Sequence, residues 1–240
     1  MPALLGGIVL MYLYDAALLL YHDEVAFETR RGGALAAGGL TLELGGRQLF
    51  LPPPWSVHRP LHRLSWRASA QTGTGDAGGV ASLRRLAARV SVLAPWSVLL
   101  LALFAVGLPV CLWLVPTSVA LLIWLATTYA TILATLAVAF AHRRRLGVTR
   151  RQLWSLARDA LLCPPFALNL VRKISLEQSR RLDLRAVLAG TPCTGSTVTL
   201  ARVVQARIGT SLSFAEAGGG EESALRGALE FYERMAGHAG

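Results

Sequence analysis

One carboxylate inside an apolar run is the first residue of this chain that could carry chemistry. Asp15 interrupts residues 3–21, which otherwise hold no charge. A carboxylate at bilayer depth is costly, so it normally faces a partner, a cavity or an ion pathway. Thr128, Thr131 and Thr135 recur at helical spacing in a second apolar run. The plain expectation is a helix-packing hydrogen bond from one of them to Asp15, the sharper one is a proton or ion relay, and a third is a span boundary that leaves Asp15 at the interface.

Other motifs fail on context. Gly73, Gly75 and Gly78 satisfy GxGxxG, but the segment before them is polar and the helix after them runs into an apolar span, so a flexible linker is the better reading. Gly190, Gly195, Ser196 and Thr197 resemble a phosphate loop in which Ser196 stands where the lysine belongs; without that charge the loop reads as a turn and helix cap. His58 and His62 have helical metal-pair spacing, yet Pro54 and Pro60 argue against a helix there. His22, Asp23 and Glu24 could join them only if the chain folded back. Cys111, Cys163 and Cys193 are scattered and form no CxxC pair. No Ser-His-Asp or Cys-His set has an activating local signature. The sequence therefore points to no catalytic residue, no metal and no cofactor.

The elements that must position Asp15 are apolar helices. The 240 residues are 53% hydrophobic and 16% charged, with a mean hydropathy of +0.47, a balance skewed toward a bilayer. A span needs about 20 apolar residues as a helix. Residues 3–21, 95–115 and 117–141 meet this. In the first, nine Leu, Ile and Val residues favour insertion by roughly 3–5 kcal/mol and Asp15 opposes it by about 3. Only Pro116 separates the other two, so they form a tight hairpin whose flanks share one side. That side carries Arg30 and Arg31, then Arg84, Arg85 and Arg89, then Arg143, Arg144, Arg145, Arg150 and Arg151. The closed side carries none. Positive charge marks the cytoplasmic face, which puts the N-terminus outside and the C-terminus inside.

The net charge of +10 would also suit nucleic acid, but its placement beside the spans favours topology and attraction to anionic lipids. Of 24 basic residues only Lys173 is a lysine, a composition typical of GC-rich bacteria.

Residues 22–70 read as a small cytoplasmic β-rich segment. Glu24 to Thr29 alternates, and Leu40, Leu42 and Leu44 lead through Gly45 and Gly46 into Arg47 to Leu51, a two-residue hairpin with a leucine face that needs cover. Leu64 and Trp66 add a further strand. Residues 71–94 are a linker and an amphipathic helix, and 95–141 the apolar hairpin. In 142–217 Gly147 breaks the helix, Thr149 and Gln152 form a capping box, and Leu153, Trp154, Leu156 and Leu161 make an apolar stripe. Residues 218–240 begin with a glycine hinge and end in a helix whose Leu225, Leu229 and Tyr232 share a face suited to docking on a partner.

The fold class expected is a mainly α membrane protein with three transmembrane helices, a small cytoplasmic β-hairpin or sheet and C-terminal amphipathic helices. The function expected is a non-catalytic subunit or scaffold of a larger assembly in the bacterial cytoplasmic membrane, multi-pass, with other membrane subunits and anionic lipids as partners and no nucleic acid. The alternatives are a membrane enzyme or transporter using Asp15, and a regulator that senses anionic lipid.

Overall fold

The computed structural model describes residues 2–21, 23–29, 35–36, 39–44, 47–65, 79–179, 184–189, 195–214 and 219–237. His22, Arg30, Arg31, the Gly45–Gly46 turn, Trp66, residues 71–78 with their glycine motif, Gly190, Cys193 and Gly218 lie outside them.

The described chain is mostly helical with small antiparallel sheets. In order it forms α1 (Pro2–Ala16), β1 (Leu18–Leu20), β2 (Glu24–Thr29), β3 (Leu35–Ala36), β4 (Leu40–Leu44), β5 (Arg47–Leu51), β6 (Leu61–Ser65), α2 (Gly79–Val90), α3 (Ala94–Ala102), α4 (Ser118–Ala141), α5 (Arg143–Leu146), α6 (Arg150–Leu162), α7 (Leu170–Ser179), α8 (Leu184–Ala189), α9 (Gly195–Leu212) and α10 (Gly220–Gly237). It divides into two units. The first holds residues 1–17, 51–60 and 86–178, and the second 18–50, 61–85 and 179–240.

The expected first span does not form. α1 stops at Ala16 after 15 residues, about 22 Å of helix against roughly 30 Å of hydrocarbon. Leu18, Leu19 and Leu20 pair instead with Phe50, Leu49 and Gln48. Leucine favours helix by propensity, but a sheet partner supplied by the fold overrides that preference.

Among the described residues two helices are long and apolar enough to cross a membrane. One is the helical run Ala81–Leu114 of 34 residues and the other is α4, of 24; the most apolar stretch of each is only 28% buried. Pro109 lacks the N–H that a regular turn needs, and wide π turns at Leu103–Gly107 and Val110–Leu114 flank it. Thr117 caps α4, its hydroxyl accepting from the Ala120 N–H at 3.1 Å. In the first unit, Leu93, Leu100, Ile132, Leu136, Leu153, Val171 and Ile174 form the core with Tyr12 and Ala16 of α1.

The foot of α4 closes as the residues require. The Val148 N–H donates to Arg143 O at 3.1 Å and the Gly147 N–H to Arg144 O at 3.3 Å, with Gly147 at φ +67°; this is a Schellman stop, which favours glycine. The capping box is present: the Thr149 N–H donates to Gln152 Oε1 at 2.9 Å, and the Gln152 N–H to Thr149 Oγ1 at 3.3 Å. These contacts start α6, whose Trp154 packs edge-on to Phe140 of α4 at 5.5 Å between ring centres.

In the second unit one sheet runs β1-β5-β4 and the other β3-β2-β6. β2 pairs antiparallel with β6, setting Val25 against Leu64 and Phe27 against His62. Val25, Phe27 and Leu64 form a core with Leu83 of α2, Leu188 of α8, Val204 and Ile208 of α9, and Leu225 and Tyr232 of α10. The leucine face does not gain the expected cover, since Leu40 and Leu42 are exposed on β4 and Leu19 on β1.

Candidate functional site

The polar residues that converge in the first unit come from three distant stretches. Tyr12 and Asp15 sit three apart on α1, which puts them on one face. Pro52, Pro53 and Pro54 end β5, and Pro53 takes an extended conformation (φ −54°, ψ 129°); this leaves the carbonyls of Pro53 and Pro54 free of any strand ladder. Pro164 and Pro165 end α6 and begin a 3₁₀ turn, Pro164–Asn169, that leads into α7 and so presents Asn169, Arg172 and Lys173.

Asp15 is bound at both oxygens. Lys173 Nζ donates to Oδ1 at 2.5 Å and Asn169 Nδ2 to Oδ2 at 3.0 Å. The Asp15 side chain is 8% exposed and that of Lys173 26%, and the ammonium also lies 5.0 Å from the Phe166 ring centre. Arg172 is buried beside this pair. Its Nη1 donates to the Tyr12 hydroxyl at 3.0 Å and to Asn169 Oδ1 at 3.2 Å; its Nη2 donates to Pro53 O at 2.7 Å and Ser56 Oγ at 2.9 Å. The Tyr12 hydroxyl donates to Pro54 O at 3.0 Å, and that of Ser56 to Pro53 O at 2.9 Å. A guanidinium offers five N–H donors in a fixed fork, so one buried arginine can pin helix, turn and proline segment together.

This corrects the expected partner of Asp15. The threonine hydroxyls turn back on their own helix: Thr131 donates to Thr127 O at 2.8 Å and Thr135 to Thr131 O at 2.7 Å. Thr128 is buried with no hydrogen-bond partner among the described residues. A helical threonine finds the carbonyl four residues back without any tertiary contact, while the carboxylate is better matched by a cation. Lys173, Asn169, Arg172, Tyr12 and Ser56 escaped the sequence reading. One signal was present, a single lysine in a chain whose other cations are all arginine.

The cluster ties three stretches of the chain together through its own hydrogen bonds. Both Asp15 oxygens accept hydrogen bonds within it. Cys163 lies close enough to feel both charges; burial pushes its thiol up and the Asp15 carboxylate adds to this, against the Phe166 N–H and the Lys173 ammonium. The thiol stays protonated near neutral pH and is a poor nucleophile.

The remaining sequence candidates fall elsewhere. Leu225 and Tyr232 are buried and Leu229 half-buried in the second unit's own core, against α9; they are not a free docking face, because an apolar stripe packs on the nearest apolar helix available. On the exposed side of α10, Arg226 Nε donates to Glu222 Oε1 at 2.9 Å. Arg84, Arg85, Arg89, Arg144, Arg145, Arg150 and Arg151 are exposed and Arg143 half-buried. Among the described residues none of these eight has an acidic partner. His62 lies on β6, fully buried, its ring 5.6 Å from that of Phe27; burial pushes its pKa down to about 4. Among the described residues no group of three His, Cys, Asp or Glu side chains could hold a metal ion. Comparison with known proteins found no family model, no curated protein and no solved structure that matches the chain.

Proposed function

We propose that this chain is an integral protein of the bacterial cytoplasmic membrane, held there by the hairpin of Ala81–Leu114 and α4, and that it works as a non-catalytic subunit or scaffold of a larger membrane assembly. The observation that carries the membrane reading is apolar surface left uncovered along both helices. Val98, Leu99, Val106, Leu122, Ile123 and Leu125 are all 41% exposed or more. A core helix of a water-soluble protein would bury such residues, and patches of this extent mark a lipid or protein contact. Arg84, Arg85 and Arg89 precede the hairpin and Arg143 to Arg151 follow it, which keeps both arms on the cytoplasmic side and attracts anionic headgroups.

The scaffold reading is supported by the closed polar cluster, whose groups bond one another, and by apolar surface outside the hairpin. Leu10 and Tyr14 of α1 are 68% and 79% exposed, and Leu40 of β4 60%, which suits a neighbouring subunit. Mild-detergent purification followed by sizing and mass spectrometry tests this. A stoichiometric membrane partner is the expected result, and a monodisperse monomer with none would reject the scaffold. Extraction by an alkaline carbonate wash would reject the membrane reading separately.

A further inference from the structure

We infer that the hairpin enters the bilayer from the cytoplasmic side and turns back inside it, so that Pro116 rests in hydrocarbon and never reaches the far surface. The inference rests on the membrane reading of the hairpin and adds its depth.

The turn itself is built for hydrocarbon. Trp113, Leu114, Val115 and Val119 are 66%, 73%, 47% and 65% exposed, and between them only Thr117 and Ser118 are polar. A turn emerging into water would present these apolar groups to it. Part of the turn's backbone is bonded internally, which lowers its cost in hydrocarbon. The Val115 N–H donates to Val110 O at 3.1 Å, the Thr117 N–H to Val115 O at 2.7 Å and the Leu121 N–H to Thr117 O at 3.2 Å. The Ala120 N–H is taken by Thr117 Oγ1, and Pro116 has no N–H to satisfy.

The other end of α4 limits how far the helix can sink. α6 runs antiparallel beside it, from the Trp154–Phe140 contact to a hydrogen bond from the Tyr129 hydroxyl to Leu161 O at 3.3 Å. The exposed face of α6 carries Arg151, Ser155 and Arg158 beside Trp154 and Leu162, and the Arg158 side chain, 71% exposed, lies 3.6 Å from Asp159. A stripe of this kind belongs in water or among headgroups. The hydrocarbon boundary therefore falls near Tyr129 and Leu161. From Thr117 to Tyr129 the helix rises about 18 Å, more than one leaflet of a hydrocarbon core about 30 Å thick and well short of both. Sinking α4 far enough to cross would carry Arg158 and Asp159 into the acyl chains.

The test uses the full chain with Cys111, Cys163 and Cys193 replaced by Ser and one cysteine introduced, Val115→Cys or Val119→Cys, each labelled with bimane and reconstituted into phosphatidylcholine–phosphatidylglycerol vesicles. Nitroxide lipids labelled at the acyl-chain end should quench both positions more strongly than headgroup-labelled ones. In intact cells neither position should react with a membrane-impermeant thiol reagent. Reaction from outside, or strongest quenching by the headgroup label, would mean that the hairpin crosses and would overturn the inference. No quenching by either lipid, together with release by carbonate, would overturn the membrane reading itself.

Discussion

Arg172 and the arginines of 143–151 are the same side chain in opposite settings within one unit. Arg172 is 2% exposed and donates to a tyrosine, an asparagine, a serine and a proline carbonyl. Arg144, Arg145, Arg150 and Arg151 are exposed at the foot of α4 and the start of α6. A buried guanidinium is costly without polar partners, so its neighbours are constrained and its replacement is felt through the fold. An exposed one keeps its hydration, and in the proposed membrane reading it acts at a distance, on orientation and on lipids. Net charge counts both alike, although only the second kind is available to the outside.

Replacing Arg172 should give the largest effect. Arg172→Met removes one donor from each of the Tyr12 hydroxyl, Asn169 Oδ1, Pro53 O and Ser56 Oγ and loosens the proline segment, for a loss of about 3–5 kcal/mol, the range for removing one member of a buried charged network. Thermal unfolding in detergent would measure it, and a midpoint equal to wild type would show that the cluster does not organise α1.

His62 offers the converse case, a buried base whose ring nitrogens have no partner among the described residues. Its folded pKa of about 4 lies below the ordinary 6.5 of the unfolded chain, so between these values the unfolded state binds more protons. Stability should be flat above pH 6.5 and fall as the pH drops toward 4, by on the order of 3 kcal/mol in all. Hydrogen exchange of β6 amides at pH 7 and pH 5 would show it, and His62→Phe should remove the difference.

Asp15 lies between the two extremes, because its partner Lys173 keeps some access to water. Asp15→Leu should cost about 1–3 kcal/mol by leaving Lys173 and Asn169 unmatched, and Asp15→Asn clearly less. If Asn instead abolished a measurable activity while abundance and assembly stayed normal, the relay reading would replace the packing one.

The smallest effect on stability belongs to Arg150→Gln with Arg151→Gln. The unfolding midpoint should not move, whereas binding to vesicles rich in phosphatidylglycerol should weaken. A lowered midpoint would mean that these arginines hold structure, and the contrast with Arg172 would fail.

Much of the local structure was legible in the sequence because its causes are local. The capping box at Thr149 and Gln152, the stop at Gly147 and the helical hairpin around Pro116 each follow from residues within a few positions of one another. So do β2, β4 and β5, read from alternation at period two. The polar cluster was not legible, because Asp15 and Lys173 are 158 positions apart and no local rule couples them.

Sequence by itself therefore determined where apolar helices form, where they are capped and stopped, and which flanks carry the positive charge, since each depends on short-range backbone chemistry or on composition. Tertiary structure decided three further matters. It ended α1 at Ala16 by giving Leu18, Leu19 and Leu20 a strand to pair with, and it closed Leu225 and Tyr232 into a core instead of leaving them for a partner. It also chose a cation over a threonine for Asp15. Each of these is a competition between partners distant in the chain, and only the folded arrangement sets which of them is close enough to win.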